Sequence, residues 1–598
     1  MSDLWKTTHS EPNALTEEGM ALKRDSIQHH YLERKPIGKG ERSTRTGAKF
    51  MAETFKGYGV THVFFVEAIL RKTLAEAEAL GIRRVLTHSE KAAAYMADGY
   101  ARAGRKPGVC MAQSVGAANL AAGLQDARLG CSPVIALTGR KDPLYQYRHA
   151  YQEILHTPMF DPVTKFNAYV DSSEQLPFLL RQAFREATSG SPGPVHLELM
   201  GYIAQTIENA EGEWEVIIEK SFSGYPSLRP QPEADRVGAA ARYLKAAERP
   251  VIVVGGGAVA SSAGPEIAKL ARTLSIPIAT SLNGKGIIPD NHPLKVGVMG
   301  TYSRWCANKV VSEADLVIFI GTGTGDLLTN DWTVPSQGTP VIQIDIDPLE
   351  LGRSYPNVVG IMGDARDTVR ELLAALDPGV PRKSWGRHAR EVVKAWEKEM
   401  EPLLSSNAVP IRPERLCREI SLALPRNAIL MADTGYSGIW TGTMVNLTRR
   451  EQGYIRAAGS LGWGFPASLG AKCAAPRRPV VCFTGDGGFW YHLCEMETAV
   501  RCGIHTVTIV NNNSALGQCI VGIQKIYRDR PGKKEEMYGF SPTNFARIAE
   551  DMGCLGIRVE KPGEIAGALK KAFSTRDRPV VVDVVTDASA HAPWTPPS

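Results

Sequence analysis

Val480-Val481-Cys482-Phe483-Thr484-Gly485-Asp486-Gly487-Gly488-Phe489 decides how this chain is read. An apolar, largely β-branched run enters a Gly-Asp-Gly-Gly turn, the pattern of a buried parallel strand that ends in a tight loop before a helix. The next 24 residues, Gly488 to Asn511, separate this turn from Asn512-Asn513. That interval holds an amphipathic stretch over about 491–502, read as a helix, and a second strand-like run over 506–510. One βαβ excursion therefore returns an amide oxygen to the sheet edge that carries the Asp486 carboxylate. Hard oxygen donors so placed suit Mg2+ or Ca2+, completed by diphosphate and water. A diphosphate there also meets glycine N–H groups and a helix N-terminus. Alone, Gly-Asp-Gly-Gly is an ordinary turn and Asn511-Asn512-Asn513 an ordinary loop; the spacing and the flanking elements carry the argument.

Outward from this unit, helix-like and strand-like segments alternate. The spacing predicts helices over 47–58, 70–80 and 90–103 and strands over 60–66, 84–87 and 108–112. The rhythm lapses over 205–235, where Pro226, Pro230 and Pro232 suggest a linker. It restarts at the apolar run 250–254 and continues through 315–320 and 341–346. A charged helical stretch over 384–404 precedes a third series, with strands over 428–432, 479–483 and 506–510. The expected fold is α/β, with three doubly wound parallel-sheet domains. The expected divisions are a polar extension over 1–45, a first domain over 46–204, the linker over 205–235, a central domain over 236–378, a helical linker over 379–407 and a third domain over 408–598 with a short tail.

Composition removes other classes. With 43% hydrophobic and 22% charged residues among 598, the chain is ordinary globular material rather than disordered, collagen-like or coiled-coil. A net charge of +6 is too dilute for a nucleic-acid footprint, and the basic stretches 34–49 and 528–534 read as a solvated tail and loop. The ten cysteines are scattered singly, without a C-x-x-C pair, so neither a disulfide framework nor a zinc site is expected. No apolar run approaches 18 residues and the N-terminus lacks a signal-peptide pattern, so a cytoplasmic protein without a membrane span is expected.

The Gly485-Asp486-Gly487 to Asn512-Asn513 arrangement resembles the fingerprint of thiamine diphosphate enzymes, and further segments resemble the acetolactate synthase-like decarboxylases and carboligases from about residue 46 to 585. Val85-Leu86-Thr87-His88-Ser89-Glu90, leading into a small-residue helix, looks like the segment whose glutamate hydrogen-bonds the cofactor pyrimidine N1′. A glutamate at a helix N-terminus also has an ordinary dipole role. Ala458-Gly459-Ser460-Leu461-Gly462-Trp463 resembles the segment that wedges a bulky apolar residue under the cofactor, and Ala432-Asp433-Thr434-Gly435-Tyr436-Ser437-Gly438 resembles a diphosphate loop. Tyr151-Gln152-Glu153 resembles the family's Phe-Gln-Glu near the substrate, and Gly190-Ser191-Pro192-Gly193-Pro194-Val195 the end of its first domain.

This resemblance implies thiamine diphosphate and Mg2+ as cofactors. It puts the metal on Asp486, Asn513 and the Ala515 carbonyl, and the cofactor on Glu90, Tyr436, Ser437, Gly438, Gly459, Leu461, Gly485, Asp486, Gly487, Gly488, Asn513, Ala515 and Leu516. Catalytic roles fall to Glu90, Gln152 and Gln113. The implied reaction makes or breaks a C–C bond next to a carbonyl of a 2-keto acid, aldehyde or acyl-CoA. The implied assembly is a homodimer at minimum and a homotetramer by family habit.

Departures bear on the substrate. Acetolactate synthases carry Pro-Gly-Gly-Ala after the first strand, where this chain reads Phe65-Val66-Glu67-Ala68-Ile69. Their Ser-Gly-Pro-Gly loop corresponds to Gln113-Ser114-Val115-Gly116, so a different acceptor pocket is expected. Glu67 would repel a keto acid carboxylate unless it points to solvent. The central Val254-Gly255-Gly256-Gly257 alone is weak evidence for a nucleotide. The run Gly321-Thr322-Gly323-Thr324-Gly325-Asp326 lacks the arginine of FAD-holding synthases, which argues against FAD and leaves an ADP-type site open. Two other readings stand beside carboligation: a 2-hydroxyacyl-CoA lyase or oxalyl-CoA decarboxylase-like enzyme, weakly opposed by the short proline-rich tail 587–598, and a non-catalytic regulatory relative, opposed by retention of Glu90, Asp486 and Asn513 together.

Overall fold

The computed structural model describes residues 43–376 and 379–593. It holds three six-stranded sheets, each parallel throughout. The first is built from His62–Phe65, Arg83–Leu86, Gly108–Ala112, Val134–Arg140, Phe166–Val170 and Val195–Met200, in spatial order 2-1-3-4-6-5 counted along the chain. The third, from Ile429–Ala432, Gly453–Arg456, Val480–Gly485, Val507–Asn512, Leu555–Val559 and Val580–Val585, repeats that order. The central sheet, from Pro250–Val254 to Asn357–Met362, is ordered 3-2-1-4-5-6, the dinucleotide-fold arrangement. The first and third domains thus share a topology that their sequences do not advertise as a repeat.

The strands form where apolar runs can be covered on both faces. Pro250–Val254, Leu316–Ile320 and Ile429–Ala432 are buried at every residue, as parallel strands between helical layers must be. In the third sheet the strand order reverses between Ile429–Ala432 and Val480–Gly485, which are parallel neighbours. Their carboxyl ends flank the crevice at the switch point, where open α/β sheets bind ligands.

Two segments differ from expectation. Of the polar extension expected over 1–45, residues 1–42 lie outside the described residues, and the remainder enters the strand Ser43–Thr46, paired antiparallel with Glu211–Trp214. The stretch read as a linker over 205–235 therefore carries a strand, and before it the helix Gln205–Asn209. The Arg45 guanidinium donates to the Trp214 carbonyl at 2.6 Å, and the Trp214 ring packs edge-on against Phe50, which anchors both segments to the first domain. The single helix expected over 491–502 is two pieces, Asp486–Trp490 and Glu495–Arg501, joined by a turn. Helical structure thus starts at the aspartate itself.

The first and third domains of the chain pack through helices Glu90–Gly104 and Gly464–Ala474. Their contact is reciprocal: a Cβ on Gly99 would lie 1.9 Å from the Ala467 carbonyl oxygen, and one on Gly470 would lie 1.8 Å from that of Met96. Only glycine at both positions allows the backbones to approach so closely.

Candidate active site

At the carboxyl end of Val480–Gly485, Asp486 occupies the first turn of helix Asp486–Trp490 and is 2% exposed. Burial pushes its carboxyl up to about 7, against the opposing N–H groups of Gly487, Ala515 and Ser514. The next strand, Val507–Asn512, delivers Asn513 to the same edge. Ser514 takes a positive φ of 53° and turns the chain, so that the Ala515 N–H donates both to Asp486 Oδ2 at 3.0 Å and to Asn513 Oδ1 at 3.2 Å. Two oxygens from separate strands thus meet on one N–H. The Leu516 N–H donates to the Tyr538 carbonyl at 2.8 Å and that of Phe540 to Ser514 at 2.7 Å, which clamps the turn. Gly487 packs beside it, and a Cβ there would lie 2.6 Å from Leu516 Cδ2 and displace that side chain.

A buried carboxylate and an amide oxygen that converge on one N–H form a donor set that fits Mg2+. The loop after Ile429–Ala432 closes on it. Gly435 has φ +64°, and helix Tyr436–Thr443 begins there with Ser437 and Gly438 in its first turn. A Cβ on Gly517 would lie 2.9 Å from Asn513 Nδ2 and 3.3 Å from Tyr436 Cδ2, so Tyr436 and Asn513 flank the same glycine. Ser437 Oγ is 3.6 Å from the Cβ position of Gly485. Gly488 stands against the Thr484 hydroxyl and the Asp433 carboxylate.

Asp433 was not singled out from sequence, yet it organises the crevice. Its carboxylate accepts the N–H of Thr434 at 2.7 Å, of Gly462 at 3.0 Å and of Gly464 at 3.0 Å, and the Thr484 hydroxyl at 3.2 Å. It joins the Tyr436 loop, the Gly459 to Trp463 loop and the strand before Asp486. The only signal was a strand-terminal aspartate. Gly459 is exposed and Leu461 half-buried in that middle loop.

In the first domain, Glu90 opens helix Glu90–Gly104, with Ser89 capping the Ala92 N–H at 3.2 Å. Asn119 Nδ2 donates to Glu90 Oε2 at 3.1 Å. Gly116 lies so close that a Cβ would sit 2.5 Å from Glu90 Oε1. Three residues earlier, Gln113 Nε2 donates to Gln152 Oε1 at 2.9 Å. Gln152 has φ +55°, its side-chain oxygen also accepts the Tyr202 hydroxyl, and its carbonyl accepts that of Ser114. The segment 113–116 thereby links Gln152 to Glu90. Within the chain, the His88–Lys91 segment touches the third domain at Tyr491, Glu495 and Thr498, beyond Asp486.

Glu67 bonds Arg71 Nε at 2.5 Å with both side chains more than half exposed, so its charge is compensated in solvent. In the central domain a Cβ on Gly255 would lie 2.2 Å from Thr322 Cβ, and the Gly257 N–H donates to the Gly321 carbonyl at 2.8 Å. Loop-against-loop packing therefore accounts for these glycines. Among the described residues no helix is long and apolar enough to cross a membrane.

Three family models match along the chain: the N-terminal TPP binding domain of thiamine pyrophosphate enzymes over residues 45–159, their central domain over 237–372 and their C-terminal TPP binding domain over 433–584. The chain is 33% identical over 530 residues to a probable acetolactate synthase large subunit of Methanococcus aeolicus, covering 86% of this chain and 87% of that one. It is 34% identical over 526 residues to the corresponding protein of Methanocaldococcus jannaschii, covering 86% and 87%. It is also 30% identical over 572 residues to the acetolactate synthase isozyme 1 large subunit of Escherichia coli, covering 93% and 98%. With the paired carboxylate and amide at the switch point and this end-to-end similarity, the chain belongs to the thiamine pyrophosphate-dependent enzymes of the acetolactate synthase type.

Proposed function

We propose that the chain decarboxylates a 2-keto acid and joins the retained fragment to a carbonyl acceptor, using thiamine diphosphate with Mg2+. The observation that carries this reading is the shared Ala515 N–H, which gathers Asp486 Oδ2 and Asn513 Oδ1 at the switch-point crevice. Bound there, thiamine diphosphate supplies a carbon acid whose carbanion activates carbonyl carbons.

The chain's own residues do the rest. Asp486, Asn513 and the Ala515 carbonyl would hold the metal, while Tyr436, Ser437, Gly438 and the Gly485 to Gly488 turn, with Leu516 at its side, would hold the diphosphate. Glu90, fixed by Asn119, holds a proton at pyrimidine N1′. The Gly459 carbonyl would accept from the pyrimidine amino group, and Leu461 would support the bound cofactor. Gln113 and Gln152, tied to each other, orient the substrate carbonyl. Because first and third domains of this family join across subunits, the active unit is a homodimer or a tetramer of such dimers. The domain divisions given above, with Ser43–Thr46 and the segment through Trp214 joined to the first domain, a cytoplasmic location, and the absence of FAD and of nucleic-acid partners belong to the same reading.

The test is a panel of 2-keto acids, 1,2-diketones and 2-hydroxyacyl-CoAs offered to the holoenzyme, scored for CO2 release and ligated product by mass spectrometry. CO2 with a ligated product from keto acids is expected. Turnover confined to acyl-CoA compounds would replace this reading with the lyase one.

A further inference from the structure

We infer that the substrate of this enzyme carries a second anionic group, which Lys141 receives beside Gln152; the inference rests on the proposed substrate-facing role of Gln152. Lys141 follows strand Val134–Arg140, at the sheet edge that also presents Gln113. Its Nζ lies 4.1 Å from the centroid of the Tyr202 ring, and the Tyr202 hydroxyl bonds Gln152 Oε1. The ammonium is thus one aromatic ring away from the amide that faces the reacting carbonyl.

The neighbouring charges are already committed. Arg140 pairs with Asp171 and stacks on Tyr169, with Cζ 4.6 Å from the ring centroid. Glu198, fully buried, faces His156 Nδ1 at 3.2 Å and the Thr157 hydroxyl at 3.0 Å. Glu153 accepts the N–H groups of Tyr147, at 2.5 Å, and Ala150, at 3.2 Å. Asp142 accepts the Thr206 hydroxyl at 3.0 Å. Among the described residues beside Gln152, Lys141 is a half-buried cation with no carboxylate partner. Seated over the Tyr202 ring, the ammonium turns at most one of its three N–H donors to the π face, so the others are left for an acceptor, and the chemistry that matches is a carboxylate, phosphonate or sulfonate at the far end of a 2-keto acid. Gln152 Oε1 is occupied by Gln113 and Tyr202, and its Nε2 donates to the Tyr151 hydroxyl at 3.3 Å, so one amide N–H is left to face an oxygen of the substrate.

The experiment compares matched substrates on the holoenzyme: 2-oxoglutarate against 5-methyl-2-oxohexanoate, and 3-phosphonopyruvate against 4,4-dimethyl-2-oxopentanoate. CO2 release gives kcat/KM, and the melting shift caused by each compound gives a binding readout that needs no turnover. A charge-assisted hydrogen bond is worth about tenfold or more. The wild type is expected to favour the acidic member of at least one pair by that factor, chiefly through KM. In Lys141→Gln that ratio should collapse toward one, and in Lys141→Arg it should be largely restored. Equal response of the wild type to both members of each pair, or a ratio that survives in Lys141→Gln, overturns the inference. If no keto acid of either kind releases CO2, the proposed reaction falls, and the melting shifts alone then decide for or against the anion site.

Discussion

Asp126 Oδ1 accepts the Ala458 N–H at 2.8 Å, across the boundary between the first and third domains. The other oxygen of this fully buried carboxylate accepts the N–H groups of Gly459 at 3.1 Å and Ser460 at 3.0 Å. Arg102 Nη2 bonds Asp126 Oδ1 at 3.0 Å and Asp98 Oδ2 at 2.7 Å, and Trp463 Nε1 donates to Asp98 at 2.8 Å. The loop that bears Gly459 and Leu461 is therefore shaped from the first domain of its own chain.

Asp126→Ala leaves three N–H groups without their acceptor and Arg102 with one carboxylate instead of two. A loss of about 3 kcal/mol in unfolding free energy is expected, with weaker thiamine diphosphate binding by calorimetry. Asp126→Asn keeps an acceptor and should lose less of both. Unchanged stability in Asp126→Ala would mean that the loop holds its shape without this anchor.

Between the central and third domains, Asp290 takes Lys285 at 3.1 Å, Lys295 at 2.9 Å and the Leu447 N–H at 2.8 Å, all three side chains being buried. Burial, helped by Lys295 and Arg304, pulls Lys285 down to about 7 against the pull of Asp290. Above that value the native state holds fewer protons than the unfolded chain, whose lysine keeps its proton to the ordinary value of 10.5. Stability should thus rise from pH 7 toward pH 9, at up to about 1.4 kcal/mol per pH unit. Lys285→Met leaves one lysine for one carboxylate and should flatten the rise. Urea midpoints for both proteins across this range check it, and an identical slope in the variant would assign the rise to other groups.

The sequence made the three sheets legible because strands buried on both faces must read as apolar runs, as 250–254 and 480–484 do. Asp486 and Asn513 were legible because their spacing encodes a βαβ return to one edge. The pairing of Ser43–Thr46 with Glu211–Trp214 was not, since two short polar edge strands carry no period that local reading can detect. Asp433 and Asp126 were missed for another reason: their partners are backbone N–H groups of a loop distant in sequence, and such acceptors leave no side-chain pattern.

Asp486 should show effects of opposite sign in apo and loaded protein. Its raised value means that the native apo protein binds more protons than the unfolded chain between the ordinary carboxylate range and about 7, so apo stability falls as pH rises through that window. Asp486→Asn removes the buried charge and should stabilise the apo protein at pH 8 by roughly 1–3 kcal/mol. It should also lose the melting increase that Mg2+ with thiamine diphosphate gives the wild type after dialysis against chelator. A variant that still gains that increase would remove Asp486 from the metal.

Glu90→Gln separates a proton-holding role from a helix-capping one. The amide matches the carboxyl in size and keeps the contact with Gly116 and a hydrogen bond with Asn119. It cannot hold the proton that pyrimidine N1′ needs. Cofactor affinity should fall modestly, hydrogen–deuterium exchange at the thiazolium C2 should slow by orders of magnitude, and kcat should fall with little change in KM, as when an interaction of the activated state is lost. A glutamate that only complements the helix N-terminus would behave otherwise, with stability lower by roughly 0.3–1 kcal/mol and exchange intact. Measuring C2 exchange and melting temperature on one preparation distinguishes them, and wild-type exchange in Glu90→Gln would end the catalytic assignment.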